Sequence, residues 1–510
     1  MPIDFPPPPT PVQGDVASLQ ADANQGAVSV EIAGYTLRVH APGVLGEEDI
    51  LEATAGVEDL SSAVRNLATA AQRNGVLAPK TLYVRSGNDI YVSVYAGTVN
   101  SVSAPAQLMP YFEGLDKEAP LTVGQFERKR LLASIHASRM GAGYTPVFTP
   151  AEGTAYDLTL KPSVEPVSPG AVRVNLSNVG NRFTGREFLD LDARRGTSDG
   201  DEFSALARTA ASVLNIDDVE PGSDYHEYQL GWSRVTPIGL FGLTSRYIDY
   251  RQQASGLSFN GEIWTVDLGY TGVLLSTATS RITVQAKADY LSKRLELDSN
   301  GQLLQKEPYP SVELGASWST SFRLFSENWL SLSSLSARQG FGKESSALTR
   351  ADLDYWLVRP SYSLRSQGSE FVVELQIAAQ YADLTVPEQQ QWIVGGIGNL
   401  HAYVPGVAVG DRGLTARVVG EYKGISVYGV SIKPRAFVEF AAAEYTDDFG
   451  GLLPGDVQTL TDIGGELVIG LSPWLETALT AAAPVQHANV SKQVRDDARS
   501  DFFFRLTAKF

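Results

Sequence analysis

The chain ends in the sequence FFFRLTAKF, residues 502–510, and this stretch decides the fold class. Because successive side chains of a β-strand point to opposite faces, one face of this strand would be apolar and the other would carry two cations. The core of a soluble β-sandwich would not accept Arg505 and Lys509, whereas a strand between lipid and a wet lumen accommodates both faces. We therefore predict a membrane-spanning barrel strand. Its apolar face comprises Phe502, Phe504, Leu506, Ala508 and Phe510.

The same alternation extends back to Ala171, and the helical spacing of apolar residues is absent from this part of the chain. About sixteen alternating segments follow one another, separated by clusters of Gly, Asp, Asn, Ser and Pro. Roughly 21 residues per strand and connection suit an even-numbered outer-membrane barrel better than a sandwich built from ~100-residue units. We predict a membrane β-barrel of about 16 antiparallel strands over residues 166–510. The predicted strand centres are Val174, Leu189, Leu206, Tyr228, Thr244, Val266, Val284, Glu313, Leu332, Ser363, Glu374, Arg417, Phe437, Val468, Ala478 and Phe504.

The N-terminal part of the chain begins with a proline-rich segment and a first small α+β module. Residues 1–26 contain the polyproline run Phe5–Pro11, and we expect a linker there. In residues 27–100, a short alternating strand precedes helical spacing over Glu47–Gln72 and a hairpin over Lys80–Tyr95.

Residues 101–165 repeat this pattern. A helix is predicted to begin after Thr122, a suitable N-cap, and to stop at Gly141. A second hairpin follows over Tyr144–Leu160. Two tandem copies of a small α+β module are typical of an interaction arm rather than a catalytic domain. The basic run Arg128–Arg130 is either a solvated helix face or a contact for a client or lipid headgroups.

Composition excludes several classes of function. The 510 residues carry a net charge of −17, which argues against nucleic-acid binding because that needs an excess of Lys and Arg. The chain has no Cys and only 5 His, and the histidines lack the paired spacing of metal ligands, so we expect no metal site. The glycines at 395–398 are not followed by the Lys-Ser/Thr of a phosphate loop. We predict no cofactor and no enzymatic activity.

One connection within the strand array stands out. Residues 392–413 read WIVGGIGNLHAYVPGVAVGDRG, which is too long for an ordinary hairpin loop. The stretch is rich in Gly, and Trp392, Leu400 and Tyr403 are interleaved in it. We expect it to fold back into the barrel and to act as a plug or lock.

With these features together, the sequence resembles the transporters of two-partner secretion, the TpsB family, which are related to the outer-membrane barrel insertases. Residues 120–132 resemble the helix of the family's second polypeptide-transport-associated (POTRA) module. Residues 178–186 fit the family pattern Asn-x-Gly-x-x-x-x-Gly through Asn178, Gly180 and Gly185, which the resemblance places in the first barrel strand. Residues 395–413 resemble the sixth extracellular loop, and Phe437–Ala441 lies where the family has a Phe-x-Asp-x-Gly wall strand.

The resemblance implies a fold, a location and an activity. Two POTRA modules would lie in the periplasm and recognise an unfolded, β-rich partner protein, which the barrel would secrete across the outer membrane by type V secretion. Capture would add the partner's backbone to a strand edge, with Lys80–Tyr95 and Tyr144–Leu160 as candidates. Outer-membrane lipid and the barrel assembly machinery are further expected partners, the latter through the C-terminal signal Phe504, Leu506 and Phe510. An insertase, a passive diffusion porin and, more remotely, an outer-membrane hydrolase are the competing interpretations.

The loop departs from the family at its tip. The family has Val-Arg-Gly-Tyr/Phe, and its arginine pairs with the wall aspartate, whereas this chain has His401 in the loop and Glu439 in the wall. If these two residues meet, the pair is expected to be pH-sensitive, because histidine titrates near neutrality. Otherwise His401 is merely a polar loop residue and Glu439 an ordinary lumen-facing carboxylate. The lock residues that we predict are Gly395, Gly396, Leu400, His401, Ala402, Tyr403, Asp411 and Gly413, with Phe437 and Glu439 as their partners in the wall.

Overall fold

The structure is a computed structural model that describes residues 8–115, 120–165, 167–181, 184–210, 224–254, 256–325, 327–343, 351–447 and 455–510. Two small α+β modules precede a closed β-barrel. Among the described residues, no helix combines the length and the apolar character needed to cross a membrane.

The first module is a five-stranded sheet with the order β1-β4-β5-β3-β2. Helices α2 and α3 pack on it around a core that includes Leu37, Leu67 and Val92, which are almost completely buried. The elements are β1 (Val12–Gln13), α1 (Val16–Asn24), β2 (Val28–Ile32), β3 (Tyr35–His40), α2 (Glu47–Thr54), α3 (Leu60–Arg73), β4 (Pro79–Ser86) and β5 (Asp89–Ala96).

Residues 8–26 differ from the expected linker, because they are part of this module. The side chain of Asp15 caps α1 by accepting a hydrogen bond from the backbone N–H of Ser18 at 2.9 Å. Leu19, on the same helix, is buried, and the Asp22 carboxylate accepts a hydrogen bond from the Ser93 hydroxyl at 2.8 Å. An N-cap and a single apolar anchor therefore stabilise a short helix that amphipathic periodicity alone does not reveal.

The second module has a three-stranded sheet in the order β6-β8-β7. Its long helix is capped as the sequence suggests: Thr122 accepts a hydrogen bond from the N–H of Gln125 at 3.2 Å, and Gly141 follows the helix with φ of 78°. The elements are β6 (Thr98–Ser103), α4 (Met109–Phe112), α5 (Val123–Arg139), β7 (Tyr144–Pro150) and β8 (Ala155–Pro162).

The second module is docked on one mouth of the barrel through α4 and α5. The Arg139 guanidinium donates to the carbonyl of Gly200 at 2.7 Å, and the Tyr111 hydroxyl donates to the carbonyl of Val235 at 3.0 Å. Burial raises the pKa of Tyr111 to about 12, so this hydroxyl keeps its proton. The basic run on α5 is partly paired within its own helix, because Arg130 contacts the buried Glu127 at 2.7 Å.

The barrel closes by pairing its last strand with its first. All strand pairs are antiparallel, and each of the sixteen predicted centres lies in a different barrel strand, so the predicted fold class is confirmed. A short additional segment, β23, pairs with the beginning of β24 across the turn that joins these two strands. The strands are β9 (Gly170–Ser177), β10 (Phe188–Gly196), β11 (Asp201–Ala210), β12 (Asp224–Thr236), β13 (Gly239–Ala254), β14 (Leu257–Ser276), β15 (Ser280–Leu297), β16 (Gln302–Leu324), β17 (Glu327–Gly340), β18 (Trp356–Ser366), β19 (Phe371–Ala382), β22 (Arg412–Tyr422), β23 (Ile425–Val427), β24 (Val430–Glu444), β25 (Gln458–Ser472), β26 (Leu475–Ala488) and β27 (Phe503–Lys509).

The two faces of the barrel wall differ sharply in polarity. On the outer face, Leu230 and Leu268 expose 67% and 57% of their surface. On the inner face, ion pairs connect neighbouring strands: Arg208 contacts Asp190 at 2.7 Å, and Arg435 contacts Glu421 at 2.6 Å. An apolar exterior and a charged lumen are the pattern of a barrel that is surrounded by lipid.

The prediction that residues 178–186 belong to the first barrel strand is wrong. The first barrel strand is β9, which ends at Ser177, and Asn178, Gly180 and Gly185 lie in the connection between β9 and β10. The ladder stops there because the chain turns back on itself: Gly180 donates its N–H to the carbonyl of Arg186 at 3.0 Å, and Gly185 has φ of 129°.

The polarity of the two faces predicts how the wall tolerates charge. Leu268→Arg, on the outer face of β14, should reduce the amount of assembled barrel, because a cation facing lipid costs about 2–4 kcal/mol near the midplane. Thr265→Arg is the matched control, since Thr265 is on the inner face of the same strand together with Asp267, which pairs with Lys287. The readout is the fraction of heat-modifiable protein in purified membranes. Equal assembly of the two variants would contradict a lipid-facing exterior.

Candidate functional site

The connection between β19 and β22 folds back into the barrel. It contains a 3-10 turn (Glu388–Gln390) and a short hairpin of β20 (Trp392–Val394) with β21 (Ala408–Gly410). The backbone reverses at Gly395 and Gly396, whose φ angles of 106° and 89° favour glycine. The N–H of Gly396 then donates to the carbonyl of Tyr403 at 2.8 Å, which closes the tip. We call residues 392–413 the lock loop.

Apolar packing fixes the tip of the lock loop against the wall. Leu400, Ala402 and Tyr403 are almost completely buried, and they form one cluster with Ala441 of β24 and Leu460 of β25. Small side chains in the wall let the loop approach closely.

The connection between β26 and β27, which contains α6 (Lys492–Asp497), covers the other side of the loop. There, the N–H of Val404 donates to the carbonyl of Ala498 at 2.8 Å, and the N–H of Ser500 donates to the carbonyl of Ala402 at 3.0 Å. The tip is therefore sandwiched between the wall and this connection.

The structure brings His401 and Glu439 together. The imidazole Nδ1 lies 2.8 Å from Oε2 of Glu439, and the backbone N–H of His401 donates to the same oxygen at 2.9 Å. The N–H of Gly398 donates to Nε2 at 3.3 Å, so Nε2 carries no proton in this geometry and Nδ1 donates to the carboxylate. The ring also packs on Phe437, with 4.6 Å between ring centroids.

Two further charged residues complete the site, and the sequence does not single them out for it. Arg417 of β22 lies 2.8 Å from Oε1 of Glu439, and Asp462 of β25 accepts the N–H of Ala402 at 2.7 Å. Glu439 and Asp462 are cross-strand neighbours, and neither is exposed. Two buried carboxylates, one guanidinium and one imidazole therefore meet at the tip of the loop.

The base of the loop is held by Asp411 and Gly413. The buried carboxylate of Asp411 accepts the backbone N–H groups of Val386 and Thr446, each at 2.9 Å. At Gly413, a Cβ would overlap the ring of Trp392. Both residues therefore fix where the loop leaves the wall.

A polar cavity of about 530 Å³ remains between the lock loop and the first and last strands of the barrel. Gly395, Gly396 and Pro405 form one side of it, and Arg505 and Lys509 are among the charged residues opposite. The inward direction predicted for these two cations agrees with this geometry. The lumen is thus wet and charged beside the loop.

The remaining predicted residues lie at the seam where the barrel closes. Asn178 bridges the seam: its side-chain amide donates to the carbonyl of Phe502 at 3.0 Å, and its oxygen accepts the N–H of Phe504 at 2.7 Å. Leu506 and Phe510 are exposed on the outer face, as predicted for lipid contact, whereas Phe504 is nearly buried.

Comparison with known proteins supports the fold. No family model matches the chain, and no curated protein is similar to it in sequence. Among solved structures, it is similar to CdiB from Escherichia coli, with 16% identity and a TM-score of 0.70 over 97% of this chain and 96% of that chain. CdiB from Acinetobacter baumannii follows with 14% identity and a TM-score of 0.62 over 95% and 90% of the two chains.

A third similar structure is BamA from Haemophilus ducreyi lacking POTRA domains 1-3. It has 13% identity and a TM-score of 0.50 over 95% of this chain and 100% of that chain. The predicted resemblance to the combination of POTRA modules and a barrel is therefore confirmed at the level of the fold.

The contacts of Glu439 predict which substitution frees the loop. Glu439→Ala should raise the open probability in planar bilayers more than His401→Ala, because it also removes the acceptor of the His401 N–H and leaves the partly buried Arg417 without this partner. Glu421→Ala is the control, since this carboxylate also pairs with an arginine, Arg435. Similar conductance for all three variants would contradict a lock role for Glu439.

Proposed function

We propose that this chain is an outer-membrane transporter that captures an unfolded, β-rich partner protein and secretes it through its barrel, as in two-partner, type V secretion. The barrel would be embedded in the outer membrane with the POTRA modules in the periplasm. Lipid would contact the apolar outer face, and the barrel assembly machinery would insert the chain. No nucleic acid or cofactor takes part in this proposal.

One observation carries the proposal: the lumen is charged but holds a folded loop, and the α+β modules stand at one mouth of the same barrel. A passive diffusion pore has no need of docked modules. A folded loop in the lumen would also narrow the channel of such a pore. A transporter needs both features, because the modules select the client and the loop keeps the lumen closed between clients. The similarity in fold to CdiB supports this interpretation.

Strand edges in the modules suit the capture of an unfolded client by β-strand addition. In the second module, β7 is an edge strand and β8 lies in the middle of the sheet. In the first module, β5 is also interior, and β4 carries β1 along part of its outer edge. Of the two candidate regions, we therefore assign capture to β7 and to β4.

An insertase is the second candidate function, and the short seam of the barrel favours it over a passive pore. The β27–β9 pairing joins only five residue pairs, Arg505–Lys509 with Arg173–Ser177, whereas β13 and β14 pair over nearly the full length of β13. A short seam is where a barrel opens sideways at the lowest cost in hydrogen bonds. The similarity in fold to BamA is compatible with an insertase.

Deletion of residues 8–165 distinguishes a transporter from a pore. We expect the deleted barrel to conduct in planar bilayers but to lose secretion of the partner, because capture and threading begin in the modules. Heat modifiability shows whether the deleted barrel is still assembled. Secretion at the wild-type level by an assembled barrel would overturn the proposal.

A disulfide across the seam distinguishes a transporter from an insertase. Asn175 and Thr507 are cross-strand neighbours whose side chains are hydrogen-bonded at 2.8 Å, and the chain has no Cys of its own to interfere. In the double variant Asn175→Cys with Thr507→Cys, the oxidised form should still secrete the partner, because the client passes through the lumen. The reduced form is the control. Loss of activity on oxidation would favour the insertase.

A further inference from the structure

The outer edge of β4 in the first module is occupied by the chain's own N-terminal segment. Val12 and Gln13 pair in parallel with Leu82 and Tyr83, and the N–H of Gly14 donates to the carbonyl of Tyr83 at 3.0 Å. The segment therefore adds one strand to the sheet, which is the geometry of an extended peptide ligand.

Residues 8–11 line a groove of about 700 Å³ beside this edge. The other walls are the face of α3 with Leu60 and Val64, and Tyr83 of β4. Pro9 is buried there. The groove thus accepts an extended, proline-containing apolar segment, and the guanidinium groups of Arg65 and Arg85 at its lining disfavour a basic one.

The contact is much smaller than an ordinary strand pairing. β1 and β4 share two residue pairs, whereas β4 and β5 pair from Pro79 to Ser86. Prolines 8, 9 and 11 have no N–H to donate, so the ladder cannot be extended upstream. At the other end, residues 84–86 pair only with β5 among the strands that the structure describes. A longer strand could therefore make more hydrogen bonds to this edge than β1 does.

The segment can leave without taking the next helix with it. Helix α1 has anchors of its own, namely the buried Leu19 and the hydrogen bond between Asp22 and Ser93. Gly14 and the N-cap Asp15 separate these anchors from β1. The occupant is thus tethered through α1 at its C-terminal end.

We infer that residues 8–13 are an intramolecular mimic of the client. They cover the β4 edge and its groove until an extended apolar segment of the exported protein displaces them. This inference rests on the proposed function for the identity of the occupant. The tether gives β1 a high effective concentration, so the groove stays closed to weak ligands and opens only to a segment that pairs along more of β4.

The test uses a fluorescent peptide of residues 8–14 as the probe and the full chain in detergent. Wild type is compared with a variant that lacks residues 1–13 and with a second variant in which a Gly/Ser stretch of equal length replaces residues 8–13. A double variant, Gln13→Cys with Tyr83→Cys, holds the segment in place, because the two positions are neighbours in the β1–β4 pairing. Its reduced form is the internal control.

Both unmasked variants should bind the peptide at least about tenfold more tightly than wild type, and the oxidised double variant should bind no better than wild type. In the unmasked background, Tyr83→Ala should weaken binding, whereas Leu51→Ala, on the exposed side of α2, should not. Equal binding by wild type and unmasked protein, or none by either unmasked variant, would overturn the inference.

Secretion is measured separately. The oxidised double variant should lose export that reduction restores, and normal export with the segment locked would also overturn the inference. If wild type exports nothing, the proposed function fails, while the peptide result still decides whether residues 8–13 mask the groove.

Discussion

Closure of the barrel is the constraint on which the rest of the structure depends. In hydrocarbon, a backbone N–H or C=O without a partner costs several kcal/mol, so a sheet that crosses lipid cannot leave an edge open. In this chain, only five residue pairs between β27 and β9 close the barrel. The side chain of Asn178 continues the pairing beyond the last ladder residue, and Val172 exchanges hydrogen bonds with Phe510 at the other end. The seam is short but has no gap between these two ends.

Once the wall is closed and its outer face is apolar, the charges must be inside, and this dictates how the lock loop can be held. A loop in a charged lumen cannot be retained by apolar packing alone, because water competes for the polar wall. The structure combines both kinds of contact. Small residues such as Ala441 admit the loop, and the carboxylates of Glu439 and Asp462 accept successive backbone N–H groups, those of His401 and Ala402. These contacts to the backbone do not depend on which side chain stands at position 401.

The sequence predicts the barrel well because alternation and turn residues are local signals. It misses β3 and β6, which are short strands that belong to mixed sheets and show no clean alternation. The motif in residues 178–186 misleads because spacing alone does not reveal the backbone conformation, and its glycines mark a reversal instead of a strand. The contact between His401 and Glu439 spans 38 residues, and a family resemblance rather than a local pattern predicts it. The sequence does not predict Arg417 and Asp462 as site residues. Lumen-facing charges are frequent, and no local sequence signal distinguishes a structural ion pair from a residue that holds the loop.

The two closures of this molecule follow the same physical logic. At the first module, two residue pairs of β1 cover part of the β4 edge. In the lumen, a few hydrogen bonds and one apolar cluster hold the lock loop against the wall. Each hydrogen bond in these contacts contributes only about 0.5–1.5 kcal/mol. Both persist because the covering segment is part of the same chain and so has a high effective concentration. A competitor that makes several contacts at once can still replace either one. In the transport that we propose, intramolecular closures of this kind would open for an extended polypeptide that makes several contacts and would stay closed to small solutes.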